Sequence, residues 1–153
     1  MMAGGETSKG SGAGGVVPRV TPEEFREMGR IGAMYYEQGN LTKAQAVFEG
    51  LVELDPASAA AHSALGALFT RRERYAEALP HLDRAVELDP GQIAPYVNRA
   101  EIFIRQGRAQ EAVENLKKAI ALDPKEADPG ANRARAMAYG LAEALKAHGV
   151  KGQ

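Results

Sequence analysis

The chain has 153 residues, of which 44% are hydrophobic, so it can bury one modest core and has no room for a second, catalytic domain. Lysine and arginine number 19 against 20 aspartate and glutamate, and this near-neutral balance gives no long-range attraction to nucleic acid or an anionic membrane. The absence of cysteine excludes disulfides, thiolate metal sites and a thiol nucleophile.

Residues 1–19 are dominated by glycine, serine and alanine. Such a composition cannot bury enough surface to offset the entropy of ordering the chain, so we predict a disordered tail. Gly10, Gly12 and Gly15 have the G-x-G-x-x-G spacing of a nucleotide-binding loop. Neither the strand that precedes such a loop nor the helix that follows it is predicted here, so we interpret the glycines as low-complexity sequence.

The first predicted helix begins at Thr21-Pro22-Glu23-Glu24, which has the form of a capping box with proline at the first helical position. From there the tripeptide Leu-Asp-Pro recurs every 34 residues, closing at Pro56, Pro90 and Pro124. The residue before a proline is disfavoured in the α region, whereas proline itself suits the first turn of a new helix. Each tripeptide therefore marks a boundary between repeated units.

Further columns align in the same period and alternate between small and bulky residues. Small residues would let two helices approach closely, and bulky residues would interdigitate between them. The small columns are Gly32/Gly66/Ala100 and Ala44/Ala78/Ala112, the bulky ones are Tyr35/Phe69/Phe103 and Phe48/Leu82/Leu116, and a fifth column is Leu51/Ala85/Ala119. This pattern predicts a packed helical core and not a cofactor site.

Turns within the units carry glycine at Gly39 and Gly107, where a helix end needs a positive φ. Glu73 takes this place in the middle unit, and we expect it to strain or lengthen that turn at a cost of about 1 kcal/mol. After Pro124 the period fails, yet residues 131–148 are rich in alanine and leucine and predict one more helix. Its apolar residues would cover the last face of the stack, with Gly149 past its end.

These columns resemble the tetratricopeptide repeat family, in units of about residues 25–58, 59–92 and 93–126. The resemblance implies an all-α fold: an α-solenoid of three helix–turn–helix repeats over residues 21–148, with a capping helix at about 130–148. It further implies a right-handed superhelix whose first helices line a concave face. Arg99 stands where the family has a large aliphatic residue. We expect either a looser third pair or an ion pair between Arg99 and Glu126 or Asp128.

In this family the ligand lies in the concave groove, against set positions of each first helix. The matching residues here are Arg26, Ala33, Tyr36, Glu37, Ala60, Ser63, Ala64, Ala67, Thr70, Arg71, Val97, Asn98, Glu101, Ile104 and Arg105. Family members that clamp the carboxyl-terminal aspartate of heat-shock chaperones carry lysine, asparagine and arginine at places occupied here by Gly29, Ala33, Ala64, Ala94 and Asn98. The clamp is thus absent, and the groove suits an extended peptide that inserts apolar side chains.

Residues 36–55 resemble the first repeat of class II type III secretion chaperones. That resemblance implies a cytoplasmic protein that grips an extended segment of a translocator in its concave face and keeps it soluble. We predict a protein-binding module of this kind, with weak self-association left open. The alternative is a structural assembly module that binds folded partners, or its own copies, through the convex face or the capping helix.

No pattern of catalytic residues supports an enzyme. The three histidines, His62, His81 and His148, lack the spacing that places two metal ligands on one helix face, and we interpret His62 as a packing residue. No metal or other cofactor is predicted. No run approaches the roughly 20 apolar residues of a membrane span, and no signal-peptide core is present, so we expect a cytoplasmic location without membrane insertion.

Overall fold

The computed structural model describes residues 19–149. Within that range the chain forms seven α-helices and no strand. The helices are α1 (Pro22–Glu37), α2 (Leu41–Leu54), α3 (Ala59–Arg71), α4 (Tyr75–Leu88), α5 (Ile93–Arg105), α6 (Ala109–Ala121) and α7 (Pro129–Ala147). The predicted fold class, an all-α solenoid of three helix pairs and a final helix, is therefore confirmed. The predicted tail lies almost wholly outside the described residues.

The helices form two layers. Helices α1, α3 and α5 each pack against the next helix in the chain, which gives the pairs α1–α2, α3–α4 and α5–α6. Among these helices α1 contacts α3, α3 contacts α5 and α5 contacts α7, whereas α2, α4 and α6 make no such contacts with one another. The odd-numbered layer is therefore the more tightly spaced one, and it forms the inner, concave side of the stack.

Close approach within the pairs depends on two glycines. A Cβ atom added at Gly32 would lie 2.9 Å from Phe48 Cδ1, and one added at Gly66 would lie 2.7 Å from Leu82 Cγ. Both distances are well inside van der Waals contact, so at these two positions a Cβ atom would force the Phe48 or Leu82 side chain to move. The bulky partners Phe48 and Leu82 are buried as the repeat columns predict.

Helix ends follow the predicted local chemistry. Thr21 Oγ1 accepts a hydrogen bond from the Glu24 N–H at 3.0 Å, and Glu24 Oε2 accepts one from the Thr21 N–H at 2.7 Å, so the capping box is formed. Gly39 and Gly107 have φ of +78° and +75°. Glu73 has the same left-handed backbone, with φ of +60°, and its turn is no longer than the other two. The turn is thus strained and not lengthened.

We expect the substitution Glu73→Gly to raise the free energy of unfolding by about 1 kcal/mol, because glycine adopts a left-handed backbone without the Cβ clash that other residues incur. Urea denaturation monitored by circular dichroism measures the change. The matched control is Gly107→Ala, which puts a Cβ on the same backbone conformation in the third pair and should lower stability by a similar amount. An unchanged or lower midpoint for Glu73→Gly would contradict the strain.

Helix α7 is held to the third pair by the buried carboxylate of Asp123. This carboxylate accepts hydrogen bonds from the Ala127 and Asp128 N–H groups at 3.2 and 3.0 Å, and its Oδ2 lies 3.2 Å from Arg135 Nη1. The backbone hydrogen bonds, together with Arg135, hold the pKa of Asp123 below its usual value. The last Leu-Asp-Pro segment therefore does more than end a repeat, since it anchors the capping helix.

The predicted ion pair of Arg99 with Glu126 or Asp128 is wrong. Arg99 Nε instead lies 3.5 Å from Asp83 Oδ1, across the contact between α5 and α4. Asp128 is occupied as the N-cap of α7, where its Oδ1 accepts from the Ala131 N–H at 3.0 Å. The arginine therefore links the second pair to the third and does not reach the segment before α7.

Candidate functional site

A cavity of about 340 Å³ opens on the inner layer, where α1, α3 and the start of α5 meet. Its residues are Ala33, Tyr36, Phe48, Ala60, Ser63, Ala64, Ala67, Gln92 and Ala94. Five are alanines, and apart from Ser63, Gln92 and the Tyr36 hydroxyl the lining is apolar. The volume lies near the lower end of the roughly 300–1,000 Å³ range of ligand pockets. A site of this size and lining suits apolar side chains of a guest polypeptide better than a large polar cofactor.

Six of the predicted groove residues share this cavity. Ala33 and Tyr36 come from α1, and Ala60, Ser63, Ala64 and Ala67 come from α3. The other three lining residues, Phe48, Gln92 and Ala94, are not among the predicted groove residues. The repeat columns predict Phe48 as a core residue, and in the structure its ring packs beside Gly32 and also reaches the cavity. Gln92 precedes α5 and lies outside the positions that the family resemblance supplies.

Tyr36 lines the cavity and Arg71 packs on it from outside, and these two residues are called the rim. The Arg71 guanidinium lies over the Tyr36 ring, 4.8 Å from its centroid, and Nη1 donates a hydrogen bond to the Tyr36 carbonyl oxygen at 2.7 Å. This contact ties the end of α1 to the end of α3. Arg71 therefore stiffens the rim, while its remaining N–H groups stay available to a guest carbonyl or carboxylate.

Other predicted residues lie outside this cavity. Thr70 is buried and its hydroxyl donates to the Gly66 carbonyl oxygen at 2.8 Å, so it offers no surface to a ligand. Arg26 lies near the N-terminus of α1, away from the cavity, and its Nη2 is 3.0 Å from Glu23 Oε1. Glu37 and Arg105 are exposed at helix ends, and Ile104 is half-buried on α5.

Helix α7 covers much of α5, which is the inner-layer helix of the third pair. Val97 is buried in a cluster that includes Ala134 of α7, and Glu101 forms an ion pair with Arg133 of α7. Asn98 turns its side-chain amide back to the Ala94 carbonyl oxygen, at 3.2 Å. The open part of the groove therefore belongs mainly to the first two pairs.

A second cavity, of about 450 Å³, lies on the opposite side, between α2 and α4. Its lining includes His81, whose Nδ1 is 3.1 Å from Nδ1 of His62. His62 Nε2 lies 2.8 Å from the Pro56 carbonyl oxygen, and since a carbonyl only accepts, this nitrogen must carry a proton. Neutral His62 then accepts at Nδ1, and His81 donates.

Burial lowers the pKa of His81 below its usual value of 6.5, and the charge of His62 lowers it further, while Glu49 and Glu77 act in the opposite direction. The folded protein thus favours neutral His81. This contribution to stability is complete above pH 6.5, the unfolded value, and is lost as the pH falls from there through the lowered pKa. We expect the free energy of unfolding to fall between pH 7.5 and 5.5. The variant His81→Gln, measured by urea titration at each pH, should show a smaller fall, and an equal fall would contradict this origin.

Within residues 19–149, no three histidine, aspartate or glutamate side chains are grouped so that they could hold a metal ion. None of the helices described here is both long and apolar enough to cross a membrane. The inner cavity is a small, mainly apolar recess beside the Tyr36 ring and the Arg71 guanidinium.

Two family models of the tetratricopeptide repeat match the chain, one over residues 33–93 and the other over residues 69–131. Together they span all three helix pairs except most of α1. No curated protein matches the sequence.

Several solved structures share the fold. The type III secretion translocator chaperone SycD of Yersinia enterocolitica is 18% identical with a TM-score of 0.75, covering 84% of this chain and 90% of its own. PcrH, a Pseudomonas aeruginosa protein solved with the chaperone binding region of PopD, is 24% identical with a TM-score of 0.71, covering 81% of this chain and 95% of its own. The TPR2AB domain of yeast Sti1, solved in complex with pHSP90, is 23% identical with a TM-score of 0.69, covering 80% of this chain and 48% of its own.

Proposed function

Because the chain belongs to the tetratricopeptide repeat family, we propose that it binds an extended segment of another polypeptide along the inner layer of α1, α3 and α5. An apolar side chain of that segment fills the inner cavity. The rim formed by Tyr36 and Arg71 contacts the neighbouring backbone. This function needs no catalytic group, since the chain acts by covering apolar residues of its partner.

The observation that carries the proposal is the apolar cavity itself. The centre of the inner layer has little side-chain volume, because α3 carries Ala60, Ala64 and Ala67 there. The sides of the cavity are formed by Tyr36 and Phe48. A row of small side chains on a stable helix creates room that larger residues would have filled. A side chain entering this room gains the free energy of apolar burial, about 25 cal/mol for each Å² removed from water.

The setting we propose is that of a secretion-type chaperone in the cytoplasm. PcrH and SycD, which share the fold, were solved with segments of PopD and of the translocator YopD, respectively. A chaperone of this kind would keep an apolar partner from aggregating. We expect micromolar affinity, because the groove offers few of the large aromatic and arginine residues that dominate tight interfaces.

Peptide binding can be tested with a displayed library of random 12-residue peptides selected on the immobilised protein. The proposal expects selected peptides to share an apolar residue and to bind with a stoichiometry of one per chain in calorimetry. A peptide with alanine in place of that residue is the control and should bind at least tenfold more weakly, since roughly 1.4 kcal/mol of burial is lost. Selection of no peptide above background would contradict the proposal.

One observation favours the alternative, a module that assembles with other folded proteins or its own copies. Ile31 and Met34 on α1 are 38% and 45% exposed, whereas their repeat equivalents, Leu65 and Leu68, are buried against the preceding pair. The uncovered edge of α1 could receive another helix. Sedimentation velocity over a range of concentrations tests this, and Met34→Glu should abolish any association that uses this edge.

A further inference from the structure

Gln92 occupies a position where the preceding repeat has a helix cap. Ser58, 34 residues earlier, is the N-cap of α3, and its Oγ accepts a hydrogen bond from the Ala61 N–H at 3.1 Å. Gln92 is the N-cap of α5 and makes no side-chain hydrogen bond to that helix. Glutamine is not among the residues that cap helices well. The N-terminus of α5 therefore lacks the stabilising side-chain cap that α3 has.

The Gln92 side chain lines the inner cavity and carries an unpaired acceptor. Its Oε1 is buried and has no hydrogen-bond partner. The residues around the cavity offer mainly methyl groups and aromatic rings. Only one other buried side-chain atom in residues 19–149 lacks a partner, Nε of Arg99, and it lies within ion-pair distance of Asp83. Gln92 Oε1 has no such compensation, and leaving a buried acceptor unpaired is destabilising.

A lost cap and an unpaired acceptor at the same residue lead us to infer that Gln92 is a specificity residue of the groove. Its Oε1 accepts a hydrogen bond from a backbone N–H of the bound segment, next to the side chain that fills the cavity. This inference rests on the function proposed above. The terminal torsion of glutamine is broad, so a rotation of the amide turns the oxygen toward the cavity.

The hydrogen bond restricts which residue of the bound segment can face Gln92. An extended peptide presents a backbone N–H at every residue except proline, which has none. The groove therefore accepts apolar residues such as leucine or methionine at the cavity and rejects a segment in which proline supplies the amide facing Gln92. An acyl chain would fill the same cavity without a donor, and Gln92 would not contribute to its binding.

The test combines a protein variant with a modified peptide. A peptide selected from the library is synthesised with each backbone amide N-methylated in turn, and each version is titrated into the wild type and into Gln92→Leu. We expect one position beside the apolar residue at which N-methylation weakens binding to the wild type about tenfold and to Gln92→Leu less than about twofold. The unmodified peptide should bind Gln92→Leu about tenfold more weakly, although this variant melts at a higher temperature than the wild type.

Gln92→Ser serves as the second variant, because it restores a capping residue at the start of α5 and removes the long amide. It should raise the melting temperature and lose the N-methyl effect in the same way. If no N-methyl position distinguishes the wild type from both variants, the hydrogen bond does not exist, although peptide binding stands. If the peptide binds the wild type and Ala67→Glu equally, the groove function itself is wrong and the role of Gln92 falls with it.

Discussion

Replacing Ala67 by glutamate is expected to abolish peptide binding while leaving the helical content intact. Ala67 is half-buried on α3 and lines the inner cavity. A glutamate there would occupy the recess itself, and its carboxylate would lie one helical turn from Arg71, so it would also take the free N–H groups of that arginine from the guest. An apolar guest side chain would have to displace or bury this charged group, which is costly enough to weaken binding by at least about a hundredfold. Calorimetry with a selected peptide measures the loss, and circular dichroism verifies the fold.

The matched control is Ala46→Glu. Ala46 is an exposed alanine on α2 that does not line the cavity. It undergoes the same change of size and charge in a helix, so it should bind the peptide within about twofold of the wild type if the site is the inner cavity. Full binding by Ala67→Glu, or equal losses in both variants, would mean that the guest lies elsewhere.

Substituting Gly66 by alanine should lower the free energy of unfolding by about 1–3 kcal/mol, the usual cost of overpacking a core. The new Cβ would lie 2.7 Å from Leu82 Cγ, so the fully buried Leu82 side chain must leave its packed position. Urea denaturation gives the magnitude.

The same substitution at Gly140 should have the opposite sign. A Cβ built there meets nothing within 4 Å, and Gly140 lies within helix α7. Alanine is about 0.5–1 kcal/mol more favourable than glycine inside a helix, so Gly140→Ala should stabilise the protein. If both variants are stabilised, the helix pairs are not in close contact at Gly66, and the packing described here is incorrect.

The helices were predictable because local rules define them. Asp-Pro steps and positive-φ residues end each helix regardless of its neighbours, so the observed bounds of α2 to α6 follow from the 34-residue period. The capping helix was predicted for about residues 130–148, and it runs from Pro129 to Ala147. The close contact at Gly66 was likewise predictable, because the 34-residue period sets a column of small residues on the first helix of each pair against a column of bulky residues on the second.

Contacts between helices were much less predictable. His62 and His81 are 19 residues apart and meet only because α3 and α4 place them at one level of the pair. The pairing of Arg99 was wrongly predicted, because the repeat register gives the helix face but not which neighbouring carboxylate is nearer. Glu101 lies at a groove position of its repeat, yet it pairs with Arg133 because α7 takes the place of a fourth repeat.

Gln92 illustrates what the period could have indicated. Its equivalents are Ser58, a functioning N-cap, and Glu126, which precedes α7 with a positive φ of +56°. A glutamine where the preceding repeat has a serine cap is a local inconsistency, and such inconsistencies tend to occur at functional sites. The unpaired oxygen itself could be recognised only from the packing around the cavity.

The most direct test is a crystal structure of the protein bound to a selected 12-residue peptide. We expect the peptide to lie extended across α1, α3 and the start of α5, with an apolar side chain between Tyr36 and Ala67 and a backbone N–H directed at Gln92. A peptide seated in the cavity beside His81 or along α7, with the inner cavity empty, would contradict the account.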